Sequence, residues 1–179
     1  MNFPERKTIK LKNYDYSATG SYFVTICTRD RMKILSEIVK EKIVLNSDVA
    51  NNVDIPENGE IGKIKVELSE YGRIVERELA QIGVRYRNVS VETYVIMPDH
   101  IHAIIRIRNN QEQVNKNVML HNIVGGFKSI VSRVCYSKHG VEKIFQRSYM
   151  EHVIRNKEEY DEIKEYITKN PIRWYLSKK

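Results

Sequence analysis

The sequence has little cysteine: two residues in 179, Cys27 and Cys135. Both lie in apolar surroundings, and their separation is not that of a metal-binding motif. This excludes a disulfide-rich secreted scaffold and predicts two buried thiols in a reducing compartment. No stretch approaches about 18 apolar residues, and the N-terminus MNFPERKTIK has no apolar run of signal-peptide type. We therefore expect a cytoplasmic protein with no membrane partner.

Internal repeats and low-complexity segments are also absent, and a hydrophobic content of 41% is enough for a sizeable core. The length fits one compact domain, so we predict a single domain over 1–179. Positive charge is in excess, with a net charge of +7 and a pI near 9.3. This balance favours an anionic partner, usually nucleic acid, although many basic proteins have no such partner.

Alternation of apolar and polar residues predicts several short strands in one antiparallel sheet. They are 21–28, a short strand or hairpin arm within 33–45, 84–95, a strand that follows the turn at Pro98, and a short or merely extended stretch at 144–148. The segment NSDVANNVDIPENGEIG is dense in turn-forming residues. It predicts a loop excursion over about 41–63.

Helical spacing of apolar residues predicts three helices that pack on this sheet, which is an α+β plan. They cover 69–83, 118–138 and 148–170, the last with an early piece at 148–155 and a clear run from 157. Ser69 caps the first helix and Gly83 ends it. Pro171 stops the last helix, because the residue before a proline is pushed out of helical geometry. Gly125-Gly126 costs about 1 kcal/mol per residue in a helix interior. The second helix therefore contains either a break or a close approach by another backbone.

The stretch VIMPDHIHAIIRI, residues 95–107, carries two of the five histidines one residue apart. It predicts a strand entered through a turn at Met97-Pro98-Asp99. Because side chains alternate along a strand, His100 and His102 project from one face, with Cα atoms about 6.6 Å apart. Two imidazoles at that spacing are able to share one metal ion. The alternative is a half-exposed strand whose histidines bind nothing.

A second pair of polar residues lies in EYITKNP near the C-terminus. Tyr166 and Asn170 are four residues apart, so on a helix they share one face. A phenol and a carboxamide placed this way would offer a nucleophile and an oxygen ligand for a hard metal ion. The alternative is that Tyr166 packs in the core and Asn170 only terminates the helix.

Four blocks in order resemble the REP-associated tyrosine transposases of the single-tyrosine HUH endonuclease group. The blocks are YDYSATGSYFVTICTRDR, YVIMPDHIHAIIRI, GGFKS and FQRSYMEHVIRNKEEYDEIKEYITKNP. The resemblance implies an RRM-like (ferredoxin-like) antiparallel sheet with helices packed on one face. It also implies cleavage and transfer of single-stranded or hairpin DNA through a covalent 5′-phosphotyrosine intermediate, by a monomer or a homodimer.

The resemblance also implies roles for individual residues. His100 and His102 match the histidines that bind Mg²⁺ or Mn²⁺, and Tyr166 matches the nucleophile. Asn170 matches the polar residue, one helical turn later, that completes the metal site. Asp99 stands where the family usually has Asn, so its extra charge either binds the metal or orients a histidine.

Five cations are candidates for contacts with DNA phosphates, although each is equally well explained as solvated surface. They are Lys128, Arg133, Arg147, Arg155 and Arg173. The remaining histidines that we considered, His121 and His152, have no assigned role. Two other functions stay open: a non-catalytic RRM-like nucleic-acid-binding module, and a metal-dependent phosphodiesterase that uses water while Tyr166 only packs.

Overall fold

The computed structural model describes residues 19–42, 62–108, 118–141 and 143–177. Their elements are β1 Gly20–Cys27, β2 Ser36–Lys42, β3 Gly62–Leu68, α1 Glu70–Ala80, α2 Ile82–Arg85, β4 Val89–Ile96, β5 His100–Ile107, α3 Leu120–His139, β6 Met150–Ile154 and α4 Lys157–Leu176. None of the helices in this part of the chain is long and apolar enough to cross a membrane. Both cysteines are buried and neither forms a disulfide, as predicted.

Four strands form an antiparallel sheet in the order β4-β5-β1-β6, and β2 pairs with β3 in a separate hairpin. The central strand β5 is buried along almost its whole length, as expected for a strand covered on both faces. Its register against β1 sets Cys27 opposite His100 and Thr25 opposite His102. The two ends of the predicted excursion over 41–63 belong to β2 and β3, and the rest of it lies outside the described residues.

The two faces of the sheet carry separate apolar clusters. Ile101, Ala103 and Ile105 of β5 belong to the larger cluster, together with apolar residues of α1, α2 and α3. Ile104 faces the other way and packs with residues of α4, including Ile163. The predicted α+β architecture is therefore confirmed. The prediction that the helices pack on one face holds only for α1–α3, since α4 covers the opposite face.

A buried junction holds α1 against the chain that follows β1. The Ser69 hydroxyl accepts a hydrogen bond from Gly72 N–H, as the predicted cap requires, and also lies 3.0 Å from the carbonyl oxygen of Leu35. A Cβ at Gly72 would overlap that same carbonyl oxygen, so only glycine fits. Leu35 N–H in turn donates to the Pro98 carbonyl, 3.0 Å away. The junction therefore braces the turn that leads into β5.

Strand β6 corrects the predicted start of the last helix. Residues 150–154 are extended and pair with β1, from Thr25 opposite Met150 to Ser21 opposite Ile154. Pairing satisfies the backbone groups at the open edge of β1, and the β-branched end of the segment is buried there. The stretch at 144–148 makes only a single bridge, between Thr28 and Phe145.

The end of the last helix was also predicted wrongly. Helix α4 continues through Pro171 to Leu176, so Asn170 is an interior residue. Proline removes one backbone donor and costs about 3 kcal/mol in a helix interior. Pro171 is buried, and the turn beyond it brings Trp174 against His100. These packing contacts offset the lost hydrogen bond.

Two smaller differences concern the other helices. The strand predicted to begin at 84 begins at Val89, because Ile82–Arg85 form the short helix α2. Helix α3 passes through Gly125-Gly126 without a break. The close neighbour at Gly126 is a side chain rather than a backbone, since a Cβ there would lie 2.8 Å from the Tyr86 hydroxyl.

Candidate active site

Two histidines lie on the α4 face of β5. His100 and His102 are both buried, and their ring centroids are 4.5 Å apart. The alternation of β5 places them on this face, as the sequence predicts, while the intervening Ile101 enters the main core. The two rings therefore face the same space between the sheet and α4.

Each imidazole is oriented through its Nδ1 atom. His100 Nδ1 lies 2.5 Å from Asp99 Oδ1, and His102 Nδ1 lies 2.9 Å from Thr25 Oγ1. A ring that keeps its Nε2 lone pair for a ligand carries its proton on Nδ1, and that N–H then donates to these oxygens. Each ring therefore has an oxygen at Nδ1 that would stabilise the tautomer in which Nε2 is available to a metal ion.

Asp99 contacts His100 directly, so the structure gives it the orienting role that the sequence left open. Burial raises the pKa of this carboxyl, but the hydrogen bond from His100 and the charges of His100 and Arg31 outweigh burial and lower it. Thr28 fixes the Asp99 backbone, because its N–H and its hydroxyl both donate to the Asp99 carbonyl at 2.9 Å. The ionised carboxylate is thereby held beside the imidazole.

His102 has less polar surroundings than His100. Burial, followed by repulsion from His100 and Arg31, holds the pKa of this imidazole well below its ordinary value. The ring also stacks on Phe23, with centroids 5.2 Å apart. Neutral imidazole is the form that binds metal ions, so the surroundings of His102 favour the ligand state at neutral pH.

Helix α4 presents three residues to this pair at intervals of four. The Tyr166 ring lies 5.3 Å from the His102 ring, and the Trp174 ring lies 6.0 Å from the His100 ring. Asn170 is buried between them on the same stripe of the helix. The structure therefore brings Tyr166 beside His102, and it places Asn170 one turn further along the same buried stripe of α4.

Among the described residues, no three side chains of His, Cys, Asp or Glu come together in a cluster that would hold a metal ion. A third ligand from this part of the chain must then be of another type. Asn170 fits, because it is buried on the stripe that faces the two histidines and carries an amide oxygen. Two imidazoles and one amide oxygen suit a divalent ion whose remaining positions are filled by water or phosphate oxygen.

Three cations surround the site, and only one of them was predicted. The Arg173 guanidinium lies 5.4 Å from the centre of the Tyr166 ring. On the other side, Arg31 lies 3.6 Å from the Asp99 carboxylate, and the Lys33 ammonium lies 5.9 Å from the centre of the Trp174 ring. Arg31 and Lys33 were missed because they follow β1 in a turn whose position relative to β5 depends on long-range pairing.

Lys128 is not supported as a phosphate contact. Its ammonium donates to the carbonyl oxygens of Gln146, Arg147 and Ser148, at 2.6, 2.9 and 3.5 Å. All three of its donors are therefore directed at the backbone that leads into β6. Burial also lowers the pKa of this ammonium. Helical spacing places Lys128 on the exposed side of α3, and it does not reveal that the half-buried ammonium faces the backbone before β6.

The other predicted cations lie in separate places. Arg133 is exposed on α3, which belongs to the layer on the far side of the sheet from the histidines. Arg147 and Arg155 are exposed at the two ends of β6. His152 forms a pair with Glu159 at 2.6 Å, which ties β6 to the first turn of α4. Only Arg173 among the five cations contacts the candidate site.

The chain was compared with known families and structures. A family described as IS200-like transposase matches residues 75–170, more than half of the chain. An uncharacterized protein of Haemophilus influenzae is 27% identical over 184 aligned positions, covering 94% of this chain and 89% of its own length. A solved REP-associated tyrosine transposase bound to a REP hairpin superposes with a TM-score of 0.54 at 17% identity, over 97% of this chain and 74% of its own. This last likeness shows a shared fold.

Proposed function

The chain belongs to the IS200-like transposase family, and we propose that it cleaves and rejoins one strand of single-stranded or hairpin DNA with Tyr166 as the nucleophile. The observation that carries the proposal is the position of the Tyr166 ring, 5.3 Å from the His102 ring and on the same helical stripe as buried Asn170. A tyrosine that only packs would not require two oriented imidazoles beside it.

In the proposed reaction the Tyr166 hydroxyl oxygen attacks the scissile phosphorus. A new bond forms between Oη and phosphorus, and the bond from phosphorus to the 3′ oxygen of the preceding nucleotide breaks. The tyrosine proton is lost, and the departing 3′ oxygen gains a proton. The products are a 5′-phosphotyrosine link and a free 3′-OH. Attack by a 3′-OH on that link reseals the strand without a high-energy cofactor.

We propose Mg²⁺ or Mn²⁺ as the cofactor, held by His100, His102 and Asn170. When bound, such an ion neutralises phosphate oxygens that would otherwise repel the nucleophile, and it orients the phosphate. The chain's own contributions are separate from this. Asp99 and Thr25 hold the two rings, and α4 carries Tyr166 and Asn170 one turn apart, with the Tyr166 ring beside His102.

The covalent step is tested by trapping the DNA on the protein. Wild-type protein, incubated with Mn²⁺ and a labelled hairpin from DNA beside its gene, should form an SDS-resistant adduct, and Tyr166→Phe should form none. Since only a hydroxyl is lost, Tyr166→Phe should bind the hairpin nearly as tightly as wild type. The perfectly paired duplex of the same sequence should give little adduct.

Tyr160→Phe and Tyr149→Phe are the matched controls, because each removes one hydroxyl elsewhere in the same block of sequence. Both should keep the adduct. An adduct that persists in Tyr166→Phe and disappears in one of the controls would reassign the nucleophile. Cleavage by wild type without any adduct would favour a phosphodiesterase that uses water.

A further inference from the structure

A strained turn lies directly beside the candidate site. Arg29–Arg31 form one 3-10 turn after β1, in which Asp30 has φ 52° and Arg31 has φ 55°. These are left-handed conformations that residues other than glycine rarely adopt. No other non-glycine residue in the described part of the chain has a positive φ. Strain of this kind persists where surrounding contacts impose it, and it concentrates at functional sites.

The contacts that impose the conformation come from Thr28. Its buried hydroxyl lies between two carbonyl oxygens, 2.8 Å from that of Met32 at the end of the turn and 2.9 Å from that of Asp99. The Arg31 N–H closes the turn onto the Thr28 carbonyl at 3.3 Å. The strained turn is therefore fixed to the same Asp99 whose carboxylate orients His100.

The Arg31 side chain leaves this turn beside Asp99. Its Nη1 lies 3.6 Å from Asp99 Oδ2, a loose contact, and about half of the side chain is exposed. A guanidinium has five N–H donors, so a single long contact leaves most of them for another anion. The other carboxylate oxygen of Asp99, Oδ1, is the partner of His100. This pairing limits how much of the Arg31 charge the carboxylate neutralises.

Lys33 extends this positive charge along the same edge. It is exposed, and its ammonium lies over the Trp174 ring, which itself lies against His100. Arg31 and Lys33 thus stand on the His100 side of the site, while Arg173 stands on the Tyr166 side. A strand whose scissile phosphate lay between Tyr166 and the histidines would carry its neighbouring phosphates toward these cations.

We propose that Arg31 and Lys33 form a phosphate-binding subsite that holds a DNA phosphate next to the scissile one, on the His100 side. The subsite rests on the proposed function, and both residues act in positioning rather than in bond breaking. Arginine suits this role because its planar fork is able to hold two phosphate oxygens at once. The left-handed turn is then retained because it directs this guanidinium toward the DNA path.

The test asks whether the effect of removing one side chain depends on the charge of one particular phosphate. Hairpin DNA from beside the gene is prepared with one phosphate at a time replaced by a neutral methylphosphonate, and binding to the full chain is measured in EDTA, so that cleavage does not intervene. Arg31→Ala should weaken binding of the unmodified hairpin about tenfold. That penalty should disappear when the methylphosphonate occupies the contacted position and persist at all other positions.

Arg29→Ala is the matched control, since it removes the same charge from the same turn but its partner is the exposed Asp30. It should lose affinity equally at every methylphosphonate position. An Arg31→Ala penalty that is absent, or equal at every position, overturns the subsite. If wild type binds and forms the tyrosine adduct without this coupling, only the subsite fails. If the coupling is found but no adduct forms, the proposed nucleophile fails instead.

Two glycine substitutions separate positioning from folding. Arg31→Gly should relieve the left-handed backbone, so its melting temperature should equal or exceed that of wild type while its DNA affinity falls as in Arg31→Ala. Asp30→Gly relieves the neighbouring residue and keeps the guanidinium, so its affinity should be at least that of wild type. A purely structural Arg31 would lose melting temperature and affinity together, and that result would also overturn the proposal.

Discussion

The two faces of β5 differ in almost every respect. Ile101, Ala103 and Ile105 are buried beneath α1–α3 as members of the main apolar cluster. On the other face, His100 and His102 are buried beneath α4 with polar partners for both rings. One strand thus contributes stability through one face and the site through the other. A single period-two pattern is able to specify both, because successive residues of a strand point to opposite faces of the sheet.

The difference should appear most strongly in stability. Ile101→Ala removes buried methyl and methylene groups beneath three helices and should lower the free energy of unfolding by about 2–5 kcal/mol. His102→Ala removes one hydrogen-bonded polar ring and should cost about 0.5–1.5 kcal/mol. Urea denaturation of both variants measures this. Equal losses of unfolding free energy in the two variants would contradict the view that only the apolar face of β5 contributes strongly to stability.

The next effect concerns the polar face alone. Asn170→Ala should lower metal-dependent cleavage roughly 10- to 100-fold, because an amide oxygen that we assign to the ion is lost. Added Mn²⁺ should restore part of the rate by mass action, whereas Tyr166→Phe should stay inactive at every metal concentration. Single-turnover rates across a Mn²⁺ titration provide the measurement. Equal behaviour of the two variants would remove Asn170 from the metal site.

A smaller effect should follow from pH. The pKa of His102 is lowered by burial and by neighbouring charges, so on acidification the unfolded chain binds a proton before the folded chain does. The stability that neutral His102 contributes is complete above about pH 6.5, the ordinary value for histidine. It is lost as pH falls from there toward the lower folded pKa.

Melting temperatures between pH 7.5 and 5.5 in EDTA test this sign. His102→Gln should show a smaller decline than wild type, because glutamine does not titrate and still reaches Thr25. His121→Gln, which alters an exposed histidine on α3, should decline as wild type does. Parallel curves for wild type and His102→Gln would contradict the assignment.

The smallest effect separates the outer surfaces. Arg173 contacts the Tyr166 ring, whereas Arg133 lies on the helical layer across the sheet. Arg173→Ala should flatten the log–log dependence of DNA affinity on salt by about 0.7, the value for one phosphate contact on a single strand. Arg133→Ala should leave that slope unchanged. If the two variants had equal slopes, the basic residues on both sides of the sheet would contribute equally to DNA binding.

The sequence predicted the elements whose pattern is local. The histidine strand follows from alternation, and the cap at Ser69 follows from a serine before an apolar periodic run. The pairing of Tyr166 with Asn170 follows from helical spacing. Each of these depends on residues within a few positions of one another, where periodicity and capping chemistry act.

The sequence failed where distant parts of the chain decide. Residues 150–154 are polar enough to continue a helix, but the open edge of β1 makes them a strand. Helix α4 continues beyond Pro171, and its last turns place Trp174 against His100. Arg31 lies in an ordinary charged turn until β1 and β5 pair and place it beside Asp99. In each case tertiary contacts outweigh local preference.

Helix α4 carries Tyr166, Asn170 and Trp174 on one stripe, and it packs on the sheet through a much smaller apolar cluster than the one beneath α1–α3. Because one helix carries all three residues, any displacement of α4 would move them together relative to the histidines. If the proposed metal and DNA binding both require α4 in place, the fraction of molecules with α4 packed on the sheet would multiply the apparent affinity for each ligand. Binding of either ligand would then raise the affinity for the other by holding α4 in place.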